Sequence, residues 1–341
     1  MSSTRGYSSY RGKGNPWKVL GAIALVLVIL ACVGYLFAQN HIVYDDEGRA
    51  RLELPFWQRK AAEEASTPLS QDEVEVEYLP PESSLHAVAE LHAAQLLPGT
   101  LKLAFEDVVL PEDEALMVEV KQQNGAITYE TQADVPPQVY VEGDGTLETL
   151  QAILAEDRYA VARMSALCDS YFVRAEHDAA FLLSSGTFWY DRDGWTWLDP
   201  ASPQVLGYLT TLCREYAALG FDEILLDYFS YPLAGRMESL AIDETVDRVQ
   251  TLHDLAAALR AALPEDVALS VVIRADLTEA TGLTADTVEE LFDRVYVAPG
   301  VDSASALADL SDSYRTTPGR VVPMVYAATG EGSYAVVPAV Q

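Results

Sequence analysis

A TIM-type (β/α)8 barrel, preceded by a single N-terminal transmembrane helix, is what the sequence predicts. Three observations carry that reading. First, short apolar runs alternate with amphipathic helical runs from about residue 73 to the C-terminus, the order of a parallel α/β domain. Second, eight such strand-sized runs fit into about 270 residues, the span of an eight-stranded barrel. Third, several of these runs end on charged residues, which parallel strands covered on both faces otherwise avoid. A doubly wound open sheet is the alternative, but no Gly-rich phosphate loop follows any strand.

Taken in order, residues 1–18 form a cytoplasmic tail rich in Ser, Gly and Arg. Residues 19–37 (Val19 to Phe37) are an unbroken apolar run, close to the ~20 residues that cross a bilayer. Arg5, Arg11, Lys13 and Lys18 precede it and Asp45, Asp46 and Glu47 follow, so the N-terminus is expected in the cytoplasm and the remainder outside. A cleaved signal peptide is the alternative; its apolar region runs to roughly 7–15 residues and ends in small residues, whereas Leu36-Phe37-Ala38 does not. Residues 38–72 read as an extracellular spacer with a small hairpin in Ile42–Leu54, turning at Glu47-Gly48. The barrel domain is expected over 73–341.

Within it the candidate strands are Val74–Tyr78, Leu116–Lys121, Tyr159–Leu167, Glu223–Phe229, Ala268–Ala275, Arg294–Ala298, Val321–Tyr326 and Tyr334–Val337. Helical periodicity marks Ser84–Leu97, Leu147–Glu156, Pro203–Leu219, Ile242–Leu263, Ala285–Phe292 and Ala304–Tyr314. Gly220 supplies the stop of the third of these. Leu101–Leu110 fits neither pattern.

The period of two along each strand sorts the charges. Glu119 and Lys121 share one face, as do Arg163, Ser165 and Asp169, then Glu223 and Asp227, then Ser270, Arg274 and Asp276. Four successive strands thus aim charge at one face, mostly near the C-terminal ends where barrel enzymes keep their chemistry. Asp227, closing the apolar run from Phe221, is the foremost candidate; Glu223, deeper on the same face, reads as a structural ion-pair partner at the barrel floor. These charges read as a pocket; the plainer alternative is a ring of structural ion pairs at the barrel mouth, Arg163 and Arg274 neutralising Asp227 and Asp276, and the same residues can serve as both.

Composition limits the partners. Of 341 residues, 22 are Lys or Arg and 52 are Asp or Glu, a net charge of −30. Such a chain repels nucleic acid and other anionic polymers, leaving neutral or cationic ligands, sugars among them. Cys32 falls in the apolar run, and Cys168 and Cys213 are expected as two buried thiols, with one bridge between them as the alternative. The five histidines stand in no hydrolase-like or zinc-like order and read as surface groups, and Asp191-Arg192-Asp193-Gly194 lacks the rest of a calcium loop, so no cofactor and no metal is expected.

Three segments resemble a bacterial family assigned to the glycoside hydrolases with a TIM-barrel domain. An acidic-x-Lys strand end followed by Gly is matched by Glu119, Lys121 and Gly125; an Ala-Arg strand by Ala162-Arg163; a Trp-x-Asp-Pro turn by Trp197-Leu198-Asp199-Pro200. The most specific block, Gly-Phe-Asp-Glu-Ile-x-x-Asp-Tyr, is matched by Gly220 to Tyr228. The resemblance implies a barrel acting on a carbohydrate. The chain departs from the family in Ser230-Tyr231-Pro232 where Arg-Phe-Pro is usual, in Arg274-Ala275-Asp276 where Ser-Ala-Asp is usual, and in Ala298-Pro299-Gly300 where a Pro-Met-x-Tyr-Pro segment is usual. These departures bear on activity rather than fold.

Glycoside hydrolysis requires two carboxyl groups, one donating a proton and one acting as base or nucleophile. Asp227 is expected as nucleophile or base and Asp276 as acid, with Glu119 in reserve. Lys121, Arg163, Asp169, Asp199 and Arg274 are candidate substrate-binding residues. Trp197, in the aromatic stretch Thr187 to Trp197, is the candidate stacking wall, with Tyr228, Tyr231 and Tyr326 as secondary candidates. The function expected is a membrane-anchored extracellular glycoside hydrolase acting on a cell-wall or other polysaccharide; a glycan-binding barrel without activity, or an envelope scaffold, are the alternatives. On this reading Asp227→Asn abolishes turnover and leaves thermal stability nearly unchanged.

Overall fold

The computed structural model describes residues 85–112, 114–242 and 245–339, together with two short strands, β1 (Ile42–Tyr44) and β2 (Ala50–Leu52). These two pair antiparallel, Ile42 opposite Leu52 and Tyr44 opposite Ala50, as expected of a hairpin there. The apolar run Val19–Phe37 and the candidate strand Val74–Tyr78 lie outside the described residues. Among the described residues no helix is long and apolar enough to cross a membrane.

Eight parallel strands close a ring: β3 (His92–Gln95), β4 (Ala115–Lys121), β5 (Ala160–Ser165), β6 (Glu223–Asp227), β7 (Ala268–Ile273), β8 (Arg294–Val297), β9 (Val321–Val325) and β10 (Tyr334–Val336), with β10 returning to pair with β3. The helices are α1 (Thr146–Leu154), α2 (Phe172–Ala175), α3 (Pro203–Leu219), α4 (Arg248–Ala262), α5 (Ala285–Leu291), α6 (Ser303–Ala306) and α7 (Asp312–Thr316). This is a TIM-type barrel with a thinned helical layer. Single 3₁₀ turns at Thr100–Lys102 and Phe105–Asp107 occupy the stretch the sequence left unassigned.

Seven of the eight candidate strands recur within a few residues. The segment read as a helix, Ser84–Leu97, holds β3, which begins the ring. Its Ala, Leu and Glu content favours helix locally, but Ala93 is needed between Ala335 and Ala115 to seal the ring. Tertiary pairing overrides propensity here. The helix read as Ile242–Leu263 starts later, at Arg248, where Asp247 accepts hydrogen bonds from Val249 and Gln250 amides at 3.0 and 3.1 Å. Ala304–Tyr314 splits into α6 and α7, each capped by its own side chain, Asp302 and Ser311. Gly220 ends α3 with a φ of 99°, a conformation that costs glycine little.

Inside the ring the side chains form three levels. The middle is apolar, with Met117, Val161, Leu225, Val272, Tyr296 and Val322 all buried. Two residues before Leu225 and Tyr296 lie Glu223 and Arg294, paired at 3.1 Å beneath this plug. Tyr159 donates its hydroxyl to Glu223 at 2.8 Å, and Arg294 Nη1 reaches the Ala89 and Gly319 carbonyls at 2.7 and 2.6 Å. Glu223 is therefore the structural partner the sequence suggested. The larger apolar layer packs between the strands and the helices, where Val205, Leu209, Leu212 and Tyr216 of α3 are buried.

Arg294→Met leaves the buried Glu223 carboxyl without its cation, a cost of about 3–5 kcal/mol. The melting temperature is then expected to fall by roughly 10 °C, at ~2–4 °C per kcal/mol for a domain of this size. An unchanged melt by circular dichroism would remove the floor pair from the account of stability.

Candidate active site

On five of the strands, the same alternation places a polar side chain at the C-terminal mouth two residues beyond the apolar one: Gln95 after Ala93, Glu119 after Met117, Arg163 after Val161, Asp227 after Leu225 and Arg274 after Val272. Asp227 is buried at their centre. Its Oδ1 accepts Arg274 Nε at 2.5 Å and the Tyr228 amide at 2.8 Å. Its Oδ2 accepts Arg163 Nη2 at 2.6 Å, Arg163 Nε at 3.1 Å and Arg274 Nη2 at 2.8 Å. Arg163 also donates to Gln95 Oε1 at 2.6 Å. Burial alone would raise the Asp227 pKa, but the two guanidiniums outweigh it and hold the carboxyl far below the usual carboxylate range.

Glu119 behaves in the opposite sense. Desolvation raises its pKa, the neighbouring Asp227 charge adds to the rise, and Arg163 and Arg274 only partly offset it. Its side chain lines a pocket of about 390 Å³ with Gln122, Thr128 and the loop after β3. One mouth thus holds a carboxyl inclined to keep its proton and another that has lost it.

Tyr228 follows Asp227 with a φ of 53°, which a bulky residue adopts only under constraint. The turn points its amide back at Asp227 and slides its ring under Arg274, whose guanidinium carbon lies 4.1 Å from the ring centroid. Trp197 meets the same ring edge-on, centroids 6.0 Å apart, and donates its indole N–H to Asp191 at 2.9 Å.

Other candidates fall elsewhere. Lys121 and Asp169 form an ion pair at 2.9 Å with both side chains 0% exposed. Asp169 also accepts the Tyr171 and Phe172 amides at 2.8 and 2.7 Å, and Lys121 donates to the Ser165 carbonyl at 2.6 Å. A β-carbon on Gly125 would overlap the Asp169 carboxylate, so the Glu119-x-Lys121…Gly125 pattern belongs to this closed pair. Both side chains are closed off from solvent and fix the loop after β5, which corrects the substrate-binding expectation. Trp197 and Tyr231 are likewise buried, Tyr231 beneath the Arg248 guanidinium, so both support the wall rather than form it. Asp199 accepts the Ala201 amide at 2.9 Å in the turn ahead of α3. Tyr326, 58% exposed beyond β9, stands open at the rim.

Asp276 lies outside the ring. Strand β7 ends at Ile273, so the alternation that places Arg274 inward no longer governs Asp276, which is exposed and accepts Ser305 Oγ at 3.1 Å. The expected pairing of Asp227 with Asp276 gives way to Asp227 with Glu119. Both arginines go to Asp227, and Gln95 joins them unforeseen because its strand was read as helix. His86, expected at the surface, instead bonds Asp293 at 3.0 Å beside Arg260, and His92 lies on β3 rather than on a helix. Cys168 and Cys213 are two buried free thiols.

An eight-stranded parallel barrel with its acids and arginines gathered at the C-terminal strand ends defines a TIM barrel with an enzyme-type mouth. Residues 99–300, more than half of the chain, match the family described as "Putative glycosyl hydrolase domain", and the chain belongs to that family. It is by that membership a protein of the glycoside hydrolase class. No curated protein matches the chain. Among solved structures, a hypothetical protein from Ruminiclostridium thermocellum is similar with 22% identity over 52% of this chain and 96% of the other, at a TM-score of 0.44. An α-galactosidase from Thermus thermophilus shows 15% identity over 67% of this chain and 46% of that enzyme, at 0.42. Another from Lactobacillus brevis shows 12% over 74% and 38%, at 0.46. The chain spans less than half the length of either galactosidase.

Asp227 is expected to make stability depend on pH in one direction. Its folded pKa lies below the unfolded value of about 3.9, so its contribution is complete above that value and is lost as pH falls below it. Asp227→Asn should flatten the stability profile below about pH 4. It also strands two guanidiniums, costing about 2–4 kcal/mol at neutral pH, toward the low end for a buried pair because solvent reaches Arg274. That overturns the expectation of unchanged stability; urea unfolding from pH 3 to 7 measures both effects.

Proposed function

We propose that this barrel cleaves a glycosidic bond at its C-terminal mouth, with Glu119 as proton donor and Asp227 as base or nucleophile. The observation that supports the reading is two carboxyl groups in one mouth with opposite surroundings, Asp227 held by two guanidiniums and Glu119 desolvated beside it, the arrangement by which acid and base roles are divided between two carboxyl groups. Arg163 and Arg274 keep Asp227 ionised, and Tyr228 holds its Oδ1 side in place. For Asp227 to attack or to take a proton, Arg274, the more exposed of its two cations, must release Oδ1 as substrate enters.

The apolar run Val19–Phe37 and the charges flanking it support an anchor that leaves the barrel outside the cell, acting on a cell-wall or extracellular polysaccharide.

A second reading has its own support. Five N–H groups occupy both Asp227 oxygens, and one donor residue, Arg274, stands where the resembled family has Ser. A barrel locked in this way would hold a glycan without cutting it.

One experiment separates them. On the hydrolase reading, full-length protein releases reducing sugar from at least one member of a polysaccharide panel, and Glu119→Gln lowers kcat by about 10²–10⁴-fold. Activity should fall as pH rises through the raised Glu119 pKa, because the donor loses its proton. On the binding reading, wild type is inactive and Arg274→Ser gains turnover. Full activity in Glu119→Gln would remove the donor assignment.

A further inference from the structure

A second cavity, of about 660 Å³, lies between the loop after β5 and the loop after β6. The two loops are tied together: Asp191 bridges to Gly235, the Arg192 amide donates to the Ala234 carbonyl at 3.3 Å, and Trp189 Nε1 donates to the Arg236 carbonyl at 3.1 Å. Gly235, at a φ of 137°, packs so closely on the Trp189 ring that a β-carbon would meet it at 2.6 Å. The cavity is thus a built feature of two strand-end loops and not a gap between mobile ones.

Its lining is mixed in a specific way. Trp189 forms a buried wall, and Tyr190, 54% exposed, offers an open ring. Arg192 and Arg236, both exposed, carry the charge, and among the described residues neither is paired with a carboxylate. The one carboxylate in the lining is already spent. Asp191 Oδ1 accepts the Asp193 and Trp195 amides, each at 2.9 Å, and its Oδ2 accepts Trp197 Nε1. In a chain with 52 acidic residues against 22 basic ones, two arginines lining one cavity with no carboxylate partner among the described residues are what composition disfavours.

We propose that this cavity is a sugar subsite for a carboxylate-bearing ring, so that the glycan recognised is an acidic one built of uronic acid units. Tyr190 supplies a face for the apolar side of a pyranose ring, and the Arg192 and Arg236 guanidiniums supply planar donors matched to a carboxylate. The overall negative charge opposes an anionic polymer at long range, but it is screened beyond about 8 Å at physiological salt, leaving the two arginines to decide at contact. The subsite communicates with the mouth through side chains already described, Asp191 to Trp197 to the Tyr228 ring beside Asp227. It deepens the glycan-acting reading above and rests on it for its position, though not for its chemistry.

The test is calorimetric titration of the full-length protein, in detergent, with trisaccharides of galacturonate, mannuronate and glucuronate, and with their carboxyl-reduced counterparts. At least one uronide is expected to bind 10-fold or more tightly than its reduced form, weakening as salt rises. The double variant Arg192→Gln/Arg236→Gln should lose that 10-fold while keeping the wild-type melt. No uronide binding, equal affinity for the reduced sugar, or an unchanged double variant each overturns the proposal. Reducing-sugar release by the same preparation is scored separately. Uronide binding without cleavage leaves the subsite standing and removes the hydrolase. Cleavage of neutral glycans without uronide binding does the reverse.

Discussion

A closed ring of eight parallel strands has an interior too narrow for water and too wide for backbone, and every second residue must fill it. That steric demand organises this molecule. On four neighbouring strands the filler is apolar at mid-height, so polar groups are driven two residues up or two residues down. Below, Glu223 and Arg294 find each other and are sealed in. Above, Asp227, Arg163, Arg274 and Glu119 meet at the open end, where solvent reaches part of the set. The same periodicity yields a sealed pair at one level and a partly solvated set at the other; what differs between them is access.

Charge balance at the mouth then follows from counting donors. A carboxylate without water needs cations or N–H groups, and Asp227 receives both in excess. Surplus positive charge near Glu119 would favour its ionised form, yet burial and the Asp227 charge tip it the other way. The mouth is poised between two uses. Arg274 is the residue on which the balance turns, because it alone among the cations is about a third exposed, its side chain being 35% accessible.

Much of this was legible in the sequence. The period-two argument placed Glu119, Arg163, Asp227 and Arg274 on one face because the first three lie within strands and Arg274 directly follows the last residue of β7, where alternation still holds. It failed for Asp276, three residues past the end of β7, and for Lys121, where the register shifts between Glu119 and Lys121. Strand β3 was hidden because its Ala and Leu content suits a helix, and only its neighbours Ala115 and Ala335, distant in sequence, make it a strand. The loop cavity could not be read at all. The aromatic stretch stood out, but which rings face inward is decided by bridges to residues 235 and 240, in another loop.

The seam between β3 and β10 has a consequence for how such a chain is made. His92 pairs with Tyr334, so the cylinder stays open along one side until β10, the eighth strand of the ring in chain order, has been made. Every nascent intermediate before that point presents two bare strand edges, templates for joining a neighbour instead of the missing partner.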